Sequence, residues 1–214
     1  MRRAVRRVLL LRHGQTSWNA QDRFQGQTDV DLDEVGRVQA TRAARLLARL
    51  HPDRLVSSDL RRARDTAGPL AELTGLPLAV DARLRETYAG SWQGMTAAEI
   101  DAAHGLQREA WRSGKDVRPG GDGELRYEVG NRVAAAINEH AARLAVGQLL
   151  VAVSHGGAVS SGLQTLLGVP RASWPVVGGL NNCHWSLLLE HGDRWVLEEH
   201  NAGSLPQDVV GDEA

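Results

Sequence analysis

Two stretches decide the fold: Val8-Leu9-Leu10-Leu11-Arg12-His13-Gly14 near the start, and Leu149-Leu150-Val151-Ala152-Val153-Ser154-His155-Gly156 in the second half of the chain. Each is a short, unbroken apolar run without polar alternation, the pattern of a strand buried on both faces of a sheet. Each then breaks into His-Gly, where the chain leaves the sheet. Strands covered on both faces belong to α/β layer folds, in which ligands sit outside the carboxyl ends of parallel strands. If the two strands are parallel neighbours, His13 and His155 share one crevice.

Outward from these strands, Val35, Val38, Ala43, Leu46, Leu47 and Leu50 recur at helical spacing behind Asp33, a suitable N-cap. Residues 54–57 predict a short strand, 59–73 a helix bent near Pro69, and 78–80 a third strand. Two weaker helical pieces follow at 97–103 and 106–111, and then a Gly-rich loop at 113–123. The spacing of Leu125, Val129, Val133, Ala136, Ile137, His140 and Leu144 predicts a long helix over 125–144, and another helix falls at 158–167. Residues 185–190 and 194–199 flank His191-Gly192-Asp193, a hairpin signal. The alternation predicts one α/β domain over residues 1–214. Its sheet is mainly parallel with right-handed crossovers, and it closes on an antiparallel hairpin.

The composition of the 214 residues, 42% hydrophobic and 24% charged, excludes global disorder. Basic residues number 25, of which Lys115 is the only lysine, against 26 acidic ones. The net charge of −1 offers no overall basic field to steer nucleic acid, so no nucleic-acid partner is expected. A lone Cys183 can form neither an intrachain disulfide nor a cysteine zinc site. His51, His104, His184, His191 and His200 lack metal-ligand spacing, and His140 lies on an apolar helix face, so no metal is expected. Met1 to Arg7 looks like a charged leader, but the run Val8 to Leu11 is far short of the ~7–15 apolar residues a leader needs. No stretch approaches the ~18 of a membrane span. A cytoplasmic protein with no membrane partner and no cofactor is expected, and the acidic tail Asp208 to Ala214 is expected to fray. Ser113-Gly114-Lys115-Asp116 imitates a phosphate-binding loop but lacks the upstream glycine and the Ser/Thr after lysine.

Two imidazoles and an arginine at one strand end point to phosphoryl chemistry. Imidazole is a capable nucleophile at neutral pH. A phosphoryl group spreads charge over three peripheral oxygens, and its transfer is catalysed largely by donors aimed at them. The planar guanidinium fork suits those oxygens better than an ammonium point charge. In Arg12-His13-Gly14 the arginine would clamp, the histidine attack, and Gly14 let backbone approach the oxygens.

The set of motifs is far more specific than that triplet. Arg12-His13-Gly14-Gln15-Thr16-Ser17-Trp18-Asn19 resembles the first signature of the histidine phosphatase superfamily, the phosphoglycerate-mutase-like fold. Ser57-Ser58-Asp59-Leu60-Arg61-Arg62-Ala63-Arg64-Asp65-Thr66-Ala67 is similar to its second motif. Leu84-Arg85-Glu86 with Gly90-Ser91-Trp92-Gln93-Gly94 is similar to the third, and Ser154-His155-Gly156-Gly157 to the fourth. The resemblance implies a three-layer α/β/α fold and a two-step reaction. His13 takes the phosphoryl group, while Arg12, Arg62, His155 and Asn19 hold its oxygens. Glu86 protonates the leaving alkoxide and then deprotonates water. The arginines should hold His13 unprotonated, whereas Glu86 must carry a proton in the first step. Gln25 stands where relatives place a further polar contact to substrate. Trp18 and Trp92 beside the motifs are candidates to touch substrate; Arg61 and Arg64 are expected at the solvated surface.

Within the superfamily, cofactor-dependent mutases carry a basic insertion after the third motif. Here Tyr88 is present, but Gly94-Met95-Thr96-Ala97 runs into a helix with no Arg-Arg pair, which favours a metal-independent phosphatase over a mutase-type isomerase or a non-catalytic phospho-ligand module. Val56-Ser57-Ser58-Asp59-Leu60-Arg61-Arg62-Ala63, Leu84-Arg85-Glu86-Thr87 and Ala172-Ser173-Trp174-Pro175 are most similar to the actinobacterial glucosyl-3-phosphoglycerate phosphatase group. One departure stands out: Gly120-Gly121-Asp122-Gly123-Glu124 replaces the Gly-Gly-Glu-Ser usual in a loop of those relatives. The expected partner is a small phosphomonoester, with a homodimer as a further candidate association.

Overall fold

In the computed structural model, which describes residues 4–204, the two apolar runs form strands β1 (Arg7–Arg12) and β4 (Leu149–Ser154). They pair in parallel, in register from Arg7 opposite Leu149 to Arg12 opposite Ser154. The residues that follow, His13 and His155, therefore leave the sheet side by side. The acidic tail and the first three residues lie outside the described residues.

With β2 (Arg54–Ser57), β3 (Leu78–Val80), β5 (Trp185–His191) and β6 (Arg194–Ala202), these strands make one sheet in the order β3-β2-β4-β1-β5-β6. β3, β2, β4 and β1 run parallel, and β5 and β6 add the antiparallel hairpin. Successive side chains of β1 explain why its run is unbroken. Val8 and Leu10 point to one face and pack with Val133 and Ile137 of α5 (Arg126–Ala141) and Val159 and Leu163 of α6 (Gly156–Leu166). Leu9 and Leu11 point to the other, against Leu47 of α2 (Glu34–Ala48) and Ala63, Ala67 and Leu70 of α3 (Arg61–Thr74). Burying each large aliphatic side chain contributes roughly 1.5–3 kcal/mol, so both faces must be covered before the strand is stable. Helix, sheet and helix form the three layers.

Asp33 caps α2 as its position predicts, its side chain accepting from Gly36 N. Helix α3 carries Pro69 within its span, as predicted. The two predicted helical pieces are present and meet at a kink in α4 (Ala97–Arg112), where the backbone at His104 is non-helical (φ −138°, ψ 29°) just before Gly105. His140 packs with its Nε2 3.1 Å from Asp81 Oδ2. Among the described residues no helix is long and apolar enough to cross a membrane.

Candidate active site

The crevice opens at the carboxyl ends of β1, β4 and β2. His13 and His155 meet there with ring centroids 5.1 Å apart, edge to face. His13 is buried, and its Nδ1 lies 2.7 Å from the Gly14 carbonyl, an acceptor only, so Nδ1 carries the hydrogen. The lone pair is left on Nε2. Burial is the main reason the His13 pKa lies well below the usual histidine range; Arg62 and Arg12 add to the effect, and the Gly14 hydrogen bond opposes it. The arginines thus act as the sequence predicts, but behind desolvation.

Arg62, the second residue of α3, is completely buried. Its Nε donates to His155 Nδ1 at 3.2 Å, and its two terminal nitrogens donate to the carbonyls of Thr28 and Gly26, each at 2.8 Å. An arginine cannot accept, so His155 Nδ1 is the acceptor and its proton sits on Nε2, 2.9 Å from Ser58 Oγ. His155 is also held neutral, by burial first and then by Arg62. Burial lowers Arg62 to about 10, which leaves it charged at neutral pH. The Arg12 guanidinium lies over Gly156, whose added Cβ would stand 3.4 Å from Arg12 Nε. One terminal nitrogen donates to the Leu180 carbonyl, while the buried Nε has no partner among the described residues. An orphaned guanidinium donor close enough to influence both neutral imidazoles suits an anionic oxygen.

Glu86 reaches the crevice from the segment after β3. Its Oε1 accepts from Thr87 N (2.8 Å) and Ala158 N (2.9 Å), and its Oε2 from Gly157 N (3.0 Å). The carboxylate therefore sits on the N-terminus of α6 and takes up two of that helix's free N–H groups. Asn19 closes the first turn of the short helix α1 (Ser17–Ala20) in a capping box with Thr16. Asn182 Nδ2 donates both to the His13 carbonyl (3.0 Å) and to Asn19 Oδ1 (3.3 Å). Among the described residues every hydrogen bond of the Asn19 side chain thus falls on its oxygen, leaving its amide NH2 to donate elsewhere. Gln25 is buried beside Gly26 with its Oε1 unpartnered among the described residues, as a contact to a hydroxyl or ammonium would require.

Other expectations need correction. Gly14 does not offer its backbone to a phosphate. Its N–H donates to Thr66 Oγ1 (3.0 Å), and an added Cβ would lie 2.5 Å from the Gly36 carbonyl, so the glycine is there to admit the start of α2. Trp92 is 0% exposed and packs edge-on against Phe24 and Trp111, so it is core rather than substrate wall. Arg61 is exposed as expected, yet tied to Asp29 and Asp31. Ser58, Thr66 and Gly157 lie inside the second and fourth motifs, but the sequence assigns no role to any of the three; the Cβ of Gly157 would stand 2.7 Å from Glu86 Oε1. Only the doubled glycine after His155 could have signalled the last of these. Among the described residues no cluster of three or more His, Cys, Asp or Glu gathers as for a metal.

Residues 8–203 match the model of the histidine phosphatase superfamily, branch 1. The chain is 44% identical over 224 residues to the glucosyl-3-phosphoglycerate phosphatase of Mycolicibacterium vanbaalenii, covering 96% of this chain and 99% of that one. Identity to the Mycobacterium tuberculosis protein of the same name is 42% over 222 residues, with the same coverage. The mycobacterial glucosyl-3-phosphoglycerate phosphatase solved with VO3 is similar at a TM-score of 0.88 and 46% identity, over 92% of this chain and 99% of that one. With sequence, fold and family model agreeing over nearly the whole chain, the protein belongs to branch 1 of the histidine phosphatase superfamily.

Proposed function

We propose that this chain is a metal-independent phosphomonoesterase that hydrolyses a small phosphorylated metabolite through a phosphohistidine at His13 Nε2. The observation that carries this reading is the tautomer of His13. Its proton is fixed on Nδ1 by the Gly14 carbonyl, so a neutral Nε2 lone pair stands beside buried guanidinium donors. In the first step Nε2 forms a bond to phosphorus as the ester P–O bond breaks. Arg12, Arg62 and the Asn19 amide hold the peripheral oxygens, His155, whose one N–H meets Ser58 Oγ, fixes Arg62 through its Nδ1, and Glu86 gives its proton to the departing alkoxide. Glu86 Oε1 already accepts two hydrogen bonds and Oε2 one, so the proton belongs on the second lone pair of Oε2. In the second step water attacks phosphorus, the N–P bond breaks, and the water proton returns to Glu86. The cations around His13 repel a divalent metal, which supports chemistry without one.

The names of the relatives support glucosyl-3-phosphoglycerate as substrate. The test is brief exposure to labelled substrate, expected to yield an acid-labile, base-stable phosphoprotein that is lost in His13→Ala, with turnover indifferent to EDTA. Abolition by chelator, or label surviving in His13→Ala, rules the mechanism out. For the substrate, kcat/KM should be highest for glucosyl-3-phosphoglycerate in a panel with 3-phosphoglycerate and hexose phosphates. A flat profile means a broad phosphatase, and isomerisation faster than phosphate release means a mutase.

A further inference from the structure

We propose that Arg132 and Glu124 are positioning residues that set where Glu86 can deliver its proton, an inference that rests on Glu86 being the proton donor. Arg132 projects from α5 and uses all five of its N–H groups. One terminal nitrogen donates to the carbonyls of Arg83 (2.8 Å) and Arg85 (2.6 Å); the other donates to the Glu86 carbonyl (2.9 Å) and Glu124 Oε2 (2.7 Å). Its Nε donates to Glu124 Oε1 at 2.8 Å. One guanidinium therefore gathers three backbone carbonyls of the segment that ends in Glu86.

Glu124 fixes the other side of the same residue. Its Oε2 accepts from Tyr88 N at 2.8 Å and from Gln27 Nε2 at 3.4 Å. Burial would raise its pKa, but the hydrogen bonds from Arg132 and Tyr88 N outweigh that and keep it ionised, below the usual range. Gln27 Nε2 also donates to the Glu86 carbonyl at 3.1 Å. Gln27 lies between Gly26 and Thr28, the two residues whose carbonyls hold Arg62. One network therefore joins the phosphoryl clamp to the proton donor and fixes their separation. Glu124 belongs to the Gly-rich stretch that departs from the family pattern, and this is the work that its carboxylate does. A half-buried ion pair is a poor source of net stability. Aiming every donor at one loop serves geometry instead, where a displacement of about 1 Å can cost a hundredfold in rate.

The measurement is kcat/KM on two leaving groups: p-nitrophenyl phosphate, whose phenolate departs without help, and 3-phosphoglycerate, whose alkoxide departs only with a proton. Glu86→Gln calibrates the assay with a large loss confined mostly to the alkyl ester. Glu124→Gln and the fork-deleting Arg132→Lys are expected to lower both rates, with the alkyl loss at least tenfold the greater and carried by kcat. In a Glu86→Gln background, Glu124→Gln should add no further selectivity. Equal losses on both esters, or a loss in KM alone, would mean that the network is only structural and would overturn the proposal. Absence of leaving-group selectivity in Glu86→Gln itself removes the role of Glu86, and the proposal falls with it. Should Arg132→Lys fail to fold, the near-isosteric Glu124→Gln carries the test.

Discussion

Gly157 shows how little separates a carboxylate that reaches substrate from one that does not. Glu86 sits where it does because the second residue of α6 has no side chain; a methyl there would come within 2.7 Å of Oε1. Gly157→Ala should therefore displace Glu86 and lower kcat/KM on an alkyl phosphomonoester by about 10²-fold, the lower range of a general-acid contribution. Alanine is the better helix former by about 1 kcal/mol, so the melting temperature should hold or rise. Loss of activity with undiminished stability is the expected signature, and wild-type kinetics would rule out this seat for Glu86. The two imidazoles make an equally local prediction. Side-chain nitrogen NMR at pH 6 should find both neutral, His13 protonated on Nδ1 and His155 on Nε2. The reverse tautomer at His13 would take away the nucleophile.

At the scale of elements, α3 shows what a linear reading finds and what it misses. The pattern that predicts it is local: apolar Ala63, Ala67 and Leu70 recur on one face, and Arg62 falls in its first turn. Its cap is not local. Leu60 at the N-cap gives no side-chain hydrogen bond, and Asp29, far back in the chain, supplies one to Arg61 N at 2.8 Å. Asp29→Ala should cost about 1 kcal/mol in urea denaturation, as loss of an N-cap does. Because the carbonyls of Gly26 and Thr28 hold Arg62 from the same loop, KM should rise more than kcat falls. No change in either stability or KM would mean that the loop holds its place without Asp29. Strands β1 and β4, the hairpin and the cap at Asp33 were legible for the same reason as the face of α3: burial and turn chemistry repeat at short spacing. Arg12, His13, Arg62, Glu86 and His155 were legible because four motifs keep their order. The roles of Ser58, Thr66 and Arg132 were not, since each acts through hydrogen bonds to residues distant in sequence that leave no periodic trace. The break between the two helical pieces of α4 was legible as well, because the period lapses at His104 and Gly105, where the backbone leaves the helical conformation.

For the whole molecule, placing two neutral histidines in the middle of the sheet end makes stability depend on pH. Both have native pKa values well below 6.5, chiefly through burial, whereas in the unfolded chain they titrate near the ordinary value. Above about pH 6.5 neither state binds these protons, so they contribute no slope. Below it the unfolded chain binds two protons that the native state refuses, and unfolding gains about 1.4 kcal/mol per pH unit from each histidine until the native values are reached. Asp81 adds to the decline only in stronger acid. The hydrogen bond from Arg83 holds its pKa near 2, so its stabilisation is complete above the ordinary carboxylate value of 3.8 and disappears as the pH falls through 2. Urea denaturation from pH 8 to 5 should therefore be level at first and then fall steeply, with His155→Gln losing one proton from the slope even if it changes the stability at pH 8. A slope unaltered in that variant would mean that His155 is protonated in the folded protein. It could not then accept from Arg62 Nε, and the clamp around His13 would have to be drawn differently.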